Sequence, residues 1–356
     1  MPAAAVPNER SSHVADLPAV SAILLSYNCE DFIAVALESV LNQDYDGPLE
    51  VIVSDDGSTD RTFDVLQENL ARYRGPHRVE LSRRAANSGS KGAHLNEIWS
   101  ACSGDVLVFF DGDDIAERSR ISRLAERFGT NPSVQAVYSG LSFIDNVGRP
   151  QGIGHVPRPP PGADARAWFA RVDAYAAGST LAVRRTIVEQ FGRLAPDVNE
   201  DVILPFRASL LGNVEFVAEP LVKYRRHAAS LTADWQRFSS IAAYRTRMED
   251  GIEKARRAEL SRLADLQRAA VLMPERQAEW ERVRGIVGDS MRAAEMTRPL
   301  TSPSFVVRMR TLLSLVHASV YKDEFPQHMF LALMPGLYLR YKRHKLGAGS
   351  SAVAQC

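Results

Sequence analysis

Three aspartates around one glycine are the residues of this sequence with the clearest chemistry. Asp111, Gly112, Asp113 and Asp114 (the acidic turn) directly follow the apolar run 106–110, which predicts a strand buried on both faces. Three carboxylates at one strand end repel each other unless a positive charge lies among them. A divalent cation would meet this need, since hard cations prefer carboxylate oxygens. A solvated acidic turn is the other interpretation, because Asp and Gly are common in turns.

The residues before the acidic turn predict a parallel sheet covered by helices on both faces, because strands and helices alternate. Asp31 is expected to cap the first helix, and the third helix is expected over 93–101. The strands are expected over residues 20–25, 49–53, 78–81 and 106–110. Ligands bind beyond the carboxyl ends of such strands. Those ends carry Ser26-Tyr27-Asn28, Asp55-Asp56 and the acidic turn.

The second half of the chain is less regular. Residues 148–162 are rich in Pro and Gly, which predicts a mobile loop beside the site. Asn199-Glu200-Asp201 is expected to begin a helix that Gly212 ends. Short elements are expected at 175–183 (a glycine turn and a strand), 186–191 (a helix), 214–217 and 221–224 (strands). From about residue 235 the spacing is helical, and from 304 to 345 the chain is basic with apolar runs.

Composition excludes several classes of protein. Lys plus Arg and Asp plus Glu number 43 each among 356 residues, so no overall field favours nucleic acid. The cysteines Cys29, Cys102 and Cys356 form no cluster, which excludes a disulfide framework and a zinc site and fits the cytoplasm. The first strand is not followed by GxGxxG or GxxxxGK[ST], which argues against an ordinary dinucleotide site and a P-loop NTPase. Residues 1–16 look like a disordered leader. The sequence has no run of eighteen apolar residues, so we expect no helix that spans a membrane.

Taken together, these segments resemble the family 2 inverting glycosyltransferases. The resemblance covers roughly residues 20–232 and implies an α/β fold of the GT-A type, with a mostly parallel central sheet flanked by helices. We therefore expect a GT-A domain over 17–233 and a helical C-terminal extension over 234–356. The resemblance rests on Ser26-Tyr27-Asn28, Asp55-Asp56-Gly57-Ser58-Thr59-Asp60, Asn87-Ser88-Gly89 with Asn96, Asp111-Gly112-Asp113-Asp114, Glu200-Asp201 and Tyr224-Arg225-Arg226-His227.

The resemblance implies that a nucleoside diphosphate sugar, usually a uridine one, binds along the rim of the sheet. Asp56 would accept the N–H of the base. Lys91, Arg225 and Arg226 are candidates for the phosphates, with surface charge as the other interpretation of the two arginines. Gly178 resembles the glycine of the acceptor-side loop. For Ser58 and Thr59 a turn or a helix cap is the favoured interpretation. The other residues expected around the donor are Leu25, Ser26, Tyr27, Asn28, Asp55, Asp111 and Gly112.

The resemblance also implies a metal and a base. Asp113 would coordinate Mn²⁺ or Mg²⁺ on the diphosphate, with Asp111 near the ribose or the waters of the metal and His227 as a further ligand. Asp114 could instead cap the following helix. Asp201 would be the general base that takes the proton of the acceptor hydroxyl, and Glu200 would support it or contact the acceptor. From the residues alone, acids in the first turn of a helix and a lone histidine also have ordinary structural explanations.

The expected function is single or limited sugar transfer to a hydroxyl of a glycan or lipid-linked acceptor, as in bacterial surface polysaccharide assembly. The QxxRW motif of processive synthases is absent. A sugar nucleotidyltransferase and a non-catalytic scaffold are the alternatives. The apolar and basic residues of 330–345 predict contact with the inner face of the plasma membrane, or packing on the core or a second subunit.

Overall fold

A computed structural model gives the fold. It describes residues 17–227 except 172 and 196, residues 241–318 except 303, and the single residues 329, 331, 333, 334 and 337. The proposed leader 1–16 and most of the basic segment 330–345 lie outside the described residues. So does the expected domain boundary at 233–234, which stays a prediction.

One mixed sheet of nine strands forms the centre of the protein. Its order is β3-β2-β1-β4-β8-β6-β9-β5, and β7 pairs with β6. The neighbours from β3 to β4 are parallel, whereas β8, β7 and β5 run antiparallel to their neighbours. The strands are β1 (Val20–Ser26), β2 (Leu49–Asp55), β3 (Arg78–Arg83), β4 (Val106–Asp111), β5 (Ile115–Ala116), β6 (Val134–Ile144), β7 (Pro150–Ile153), β8 (Leu181–Arg184) and β9 (Asn213–Arg225).

Helices cover both faces of this sheet and continue beyond it. Among the described residues they are α1 (Ile33–Leu41), α2 (Thr62–Arg72), α3 (Lys91–Ile98), α4 (Arg120–Thr130), α5 (Ala165–Phe169), α6 (Arg185–Phe191), α7 (Glu200–Leu211), α8 (Ile241–Leu272), α9 (Gln277–Thr297) and α10 (Phe305–Ala318). The predicted α/β class with a helical C-terminal part is confirmed. None of the described helices combines the length and the apolar character that crossing a bilayer requires.

The two faces of the sheet take alternate residues of the central strands, as the period of a strand requires. Ile23, Leu25 and Phe109 pack toward α3 and α7, whereas Leu24 and Phe110 pack toward α1 and α4. Because both faces are covered, the central strands are apolar almost throughout. This explains why the sequence predicted β1, β2 and β4 well.

Several elements differ from the expectations. Phe32, not Asp31, is the residue before α1, and no side chain caps that helix, so the predicted Asp31 cap is wrong. Helix α3 begins two residues earlier than expected, because Ser90 Oγ accepts from Ala93 N at 3.1 Å. The two expected strands of 214–224 form one continuous strand, β9, whose register against β6 shifts near Gly140. Part of the predicted loop 148–162 is strand β7, which pairs with the far half of β6.

The C-terminal helices share the core of the sheet. Leu266 of α8 and Trp280 of α9 are fully buried in the same apolar cluster as Ile23 and Phe109. A buried ion pair, Arg207 Nε to Asp265 Oδ2 at 2.9 Å, joins α7 to α8. The helices after residue 240 therefore brace α7, which begins at Glu200 and Asp201.

Candidate active site

The carboxyl ends of β1, β2 and β4 meet at one rim. Pairing places Ser26 opposite Asp55 and Leu25 opposite Asp111. Gly112 N donates to Leu25 O at 2.8 Å, so the acidic turn leaves β4 directly against the end of β1. The side chains that the sequence placed at three separate strand ends therefore lie side by side.

Asp55 holds the rim together from inside. It is fully buried, and its carboxylate accepts from Ser26 Oγ at 3.2 Å and from both the backbone N and the hydroxyl of Ser58. Arg83 Nε lies 3.5 Å away. These contacts position the loop after β2, and the predicted donor contact of Asp55 stays a prediction.

Asp56 connects two loops at the expected base pocket. Its carboxylate accepts from Ser88 N at 2.9 Å and Asn87 Nδ2 at 3.1 Å, and Arg84 Nε lies 3.1 Å away. The motif 87–89 is thus brought onto Asp56. His94, which the sequence analysis did not single out, lies behind this pocket: its Nε2 is 2.8 Å from Ser54 Oγ, and burial lowers its pKa. A histidine within a helix carries no signal that would have revealed this position.

The turn after β1 is held by residues of the loop after β2. Asn28 has a positive φ of 45°, its N–H donates to Ser58 Oγ at 2.9 Å, and its Oδ1 accepts from Thr59 N at 2.8 Å. Tyr27 remains 46% exposed at the rim. Ser58 and Thr59 therefore belong to the turn, and α2 starts later, at Thr62, without a side-chain cap.

Asp113 and His227 meet across the acidic turn. His227 Nε2 lies 3.0 Å from Asp113 Oδ2, and their side chains are 11% and 30% exposed. The histidine ring packs on Phe32 at 4.7 Å between centroids. Two residues 114 positions apart in the sequence thus present one imidazole nitrogen and one carboxylate at the same point.

These groups fit a divalent cation that takes its other ligands from the substrate. In the part of the chain that the structure describes, no three His, Cys, Asp or Glu side chains form a metal cluster. Mg²⁺ and similar ions commonly use one or two protein ligands, with substrate phosphates and waters completing the shell. Asp113 and His227 suit that arrangement, with the partly exposed Asp111 beside them.

Lys91 lies between the acidic turn and the start of α7. Its Nζ is 2.6 Å from Asp111 Oδ1 and 2.8 Å from Glu200 Oε1. Burial would lower the pKa of Lys91, but the two carboxylates outweigh this effect and raise it. Burial raises the pKa of Asp111 against the opposing effect of Lys91. Part of the positive charge that the acidic turn requires is therefore supplied by the protein itself.

Gly178 lies against this ion pair. A Cβ at Gly178 would lie 2.4 Å from Glu200 Oε1 and 3.1 Å from Lys91 Nζ, so any side chain would displace the Lys91–Glu200 contact. The structure thereby brings the predicted acceptor-side glycine next to the predicted base helix.

Arg225 and Asp114 fix the shape of the acidic turn. Arg225 Nε donates to Asp113 O at 2.8 Å, and Arg225 N donates to Asp114 Oδ1 at 2.9 Å. Arg225 is only 5% exposed, so these contacts position the turn, and the predicted phosphate contact stays a prediction. Helix α4 begins at Arg120 after Ser119, so Asp114 does not cap it and that alternative is wrong.

Asp201 has the properties of a general base. Among the described residues its Oδ1 has no hydrogen-bond partner, and its backbone O accepts from Ala176 N at 2.9 Å. Burial and the neighbouring Glu200 carboxylate raise the pKa of Asp201 to about 8. A carboxylate with a pKa near neutrality accepts protons far better than an ordinary aspartate. Glu200 takes the contact with Lys91, and Asp201 is left beside it.

Comparisons with known proteins point to a family and a fold. The family model for glycosyl transferase family 2 matches residues 21–192, which contain the strand ends, the acidic turn and Gly178. Over residues 21–192, just under half of the chain, the sequence is therefore similar to glycosyl transferase family 2. The matched segment ends before α7, so Glu200, Asp201, Arg225 and His227 lie beyond it.

The alignments with individual relatives cover only part of the length of each relative. An uncharacterized glycosyltransferase of Nostoc sp. is 27% identical over 217 residues, which are 59% of this chain and 66% of the relative. Chondroitin synthase of Escherichia coli is 32% identical over 132 residues, 37% of this chain and 18% of that protein. The crystal structure of TarS of S. aureus has a TM-score of 0.52 and 15% identity over 92% of this chain and 55% of that chain, a likeness of fold.

Proposed function

We propose that this protein is a metal-dependent, inverting glycosyltransferase that uses a UDP-linked sugar. The observation that carries the proposal is the position of Asp201, whose raised pKa suits a base, next to a cluster of Lys91, Asp111 and Glu200 at the rim of the sheet, beside the segment that is similar to family 2. The names of relatives, such as chondroitin synthase and poly(ribitol-phosphate) beta-glucosyltransferase, support transfer to a polymeric acceptor.

In the proposed reaction Asp201 takes the proton of an acceptor hydroxyl as its oxygen attacks the anomeric carbon. The bond from that carbon to the diphosphate oxygen breaks on the opposite face, and the electron pair leaves with UDP, so the configuration inverts. A divalent cation held by Asp113 and His227 would neutralise the charge that develops on the leaving diphosphate. Asp56 and the loop at 87–88 would bind the base.

Binding and turnover test the proposal separately. Isothermal titration should show that UDP binds with Mn²⁺ present and binds more weakly after chelation. If neither UDP nor another nucleoside diphosphate binds with metal, the donor site is refuted. Slow release of sugar from a UDP-sugar would exclude a scaffold, and formation of pyrophosphate from UTP and a sugar 1-phosphate would favour a nucleotidyltransferase. A panel of nucleotide sugars would then identify the donor.

We also propose that the C-terminal helices contact an anionic membrane from the cytoplasmic side. On α10, Phe305, Val306 and Leu313 are 54%, 58% and 60% exposed, and Arg310 lies on the same side. Basic residues follow in the sequence at Arg340, Lys342, Arg343 and Lys345, outside the described residues. Apolar and cationic groups together suit the surface of an anionic bilayer.

Sedimentation with vesicles tests this contact. Full-length protein should pellet with phosphatidylserine-containing vesicles and not with phosphatidylcholine vesicles, and Leu313→Asp should reduce pelleting. If the protein pellets with neither kind of vesicle, and light scattering shows a dimer that Leu313→Asp dissociates, the apolar face of α10 serves self-association instead.

A further inference from the structure

A small cavity lies beside the acidic turn. Its volume is about 10 Å³, and its lining includes Phe110, Asp114, Arg120, Ser179 and Val222. Arg120 comes from the first turn of α4, Asp114 from the acidic turn and Ser179 from the turn that follows Gly178. The cavity therefore lies where α4, the metal-binding side and the acceptor side of the site meet.

Polar atoms that lack partners surround this cavity. Arg120 is completely buried; its Nη2 donates to Phe109 O at 2.8 Å and its guanidinium packs over the Phe110 ring at 4.2 Å. Among the described residues, Arg120 Nε and Nη1, Asp114 Oδ2 and Ser179 Oγ make no hydrogen bond of ordinary geometry, although the Ser179 hydroxyl lies near enough to the Asp114 carboxylate to oppose the effect of burial on its pKa. Asp114 is 5% exposed and Ser179 is 2% exposed, so bulk water does not satisfy these atoms.

One water molecule fits both the size and the chemistry of this cavity. A buried polar group without a hydrogen bond is destabilising, and several gathered in one place would not persist unpaired. A water needs about 10–15 Å³ and two to four polar partners. Here it would accept from an N–H of Arg120 and donate to Asp114 Oδ2 and Ser179 Oγ. No organic ligand fits so small a space.

We propose that Arg120, acting directly and through one buried water, is a positioning residue that holds the acidic turn in the shape that binds the metal-loaded donor. The direct part is the hydrogen bond from Arg120 to Phe109 O, two residues before Asp111. The indirect part is the water that joins Arg120 to Asp114 and Ser179. This inference rests on the proposed function, since it assumes a donor bound through a cation at Asp113.

The charge of Arg120 matters as much as its hydrogen bonds. Asp111, Asp113 and Asp114 bring three carboxylates together, and Lys91 contacts only the first of them. Arg120 provides a cation that solvent cannot replace, because it is enclosed by the sheet and α4. Removing the charge of Arg120 would leave the neighbouring carboxylates less compensated, which should destabilise the acidic turn.

A matched pair of arginines tests the proposal. Arg184 also donates to backbone carbonyls (Val134 O at 2.7 Å and Phe128 O at 2.9 Å) and packs over the Phe128 ring, but it lies away from the rim. Arg120→Met and Arg184→Met are compared with wild type for thermal unfolding, UDP binding with Mn²⁺ and UMP binding in EDTA. Binding of UMP, measured by ligand-observed NMR, reports on the base pocket alone.

We expect Arg120→Met to weaken Mn²⁺-dependent UDP binding at least tenfold and to leave UMP binding within twofold, whereas Arg184→Met changes neither. Arg120→Met with wild-type UDP binding, or with equal losses for UDP and UMP, would overturn the positioning role. If the wild type itself fails to bind UDP with Mn²⁺, the proposed function fails instead.

A second variant covers the case in which Arg120→Met does not fold. Ser179→Val keeps Arg120 but fills the cavity, so it should displace the water and lower Mn²⁺-dependent UDP affinity in the same direction. A crystal structure of the wild type should show one ordered water within hydrogen-bond distance of Arg120, Asp114 and Ser179. Ser179→Val with undiminished UDP affinity, or a wild-type cavity without density, would refute the water.

Discussion

Lys91 Nζ lies 2.8 Å from Glu200 Oε1, and this contact joins the donor side of the rim to the helix that carries Asp201. The same ammonium group holds Asp111 at 2.6 Å. Burial is the main cause that raises the pKa of Asp201, and the Glu200 carboxylate adds to it, whereas Lys91 acts in the opposite direction. The ion pair thus places charges of both signs that act on this pKa beside the candidate base.

Replacing Asp201 tests the base directly. Asp201→Asn should lower kcat for sugar transfer by about 10²–10⁴-fold, the usual contribution of a positioned base, and leave the Kd for UDP with Mn²⁺ within twofold. Steady-state kinetics and calorimetry give the two quantities. Asp197→Asn is the matched control, because Asp197 lies in the loop just before α7 and pairs with Arg257 at the surface. Unchanged turnover of Asp201→Asn would refute the assignment.

The pH dependence should show the raised pKa of Asp201. A base acts only when it is deprotonated, so kcat/KM should fall as the pH drops below about 8, the pKa of Asp201 in the free protein. Glu200→Gln removes the negative charge that helps to raise this pKa and releases Lys91, and both effects favour ionised Asp201. The acidic limb of the profile should therefore move to lower pH in Glu200→Gln. If the acidic limb lies at the same pH in Glu200→Gln and in the wild type, a group other than Asp201 controls it.

Gly112 should tolerate no side chain. A Cβ there would lie 2.9 Å from Cys29 Sγ and 3.0 Å from Leu25 O, and the latter is backbone that cannot turn away. We expect Gly112→Ala to reduce the free energy of unfolding by about 1–3 kcal/mol and to weaken UDP binding with Mn²⁺. Denaturant titration measures the first effect. Gly129→Ala in α4 meets no atom within 4 Å and should instead stabilise the protein by about 0.5–1 kcal/mol.

The metal site should depend on Asp113 and His227 together. Each single replacement by Ala should raise the Mn²⁺ concentration needed for half-maximal activity, and the double variant should lose less than the product of the two effects, because the residues share one ion. Metal titration of donor hydrolysis measures this. His77→Ala, at the amino end of β3, is the control. A double variant that loses the full product of the two single effects would indicate that the two side chains do not act on the same cation.

The sequence alone predicted best where the pattern reflects local chemistry. Strands such as β4 are buried on both faces, and their continuous apolar runs end sharply at Asp111. The family resemblance then placed Asp56, Asp113 and Asp201 in one site, and the structure brings their strand and helix ends to one rim. Strands β6 and β7 were not predicted. Strand β7 pairs with the part of β6 that does not pair with β8, and this pairing is decided by the tertiary structure.

The sequence by itself determined the class of fold and the residue types of the site, since periodicity and strand ends are encoded locally. Only the tertiary structure decided what each charged group contacts. Lys91 pairs with Asp111 and Glu200, Arg225 holds the acidic turn, and Arg120 lies buried beneath it. These contacts join residues 20 to about 110 positions apart, and the energy of a charge depends on its burial and neighbours, which no local pattern records.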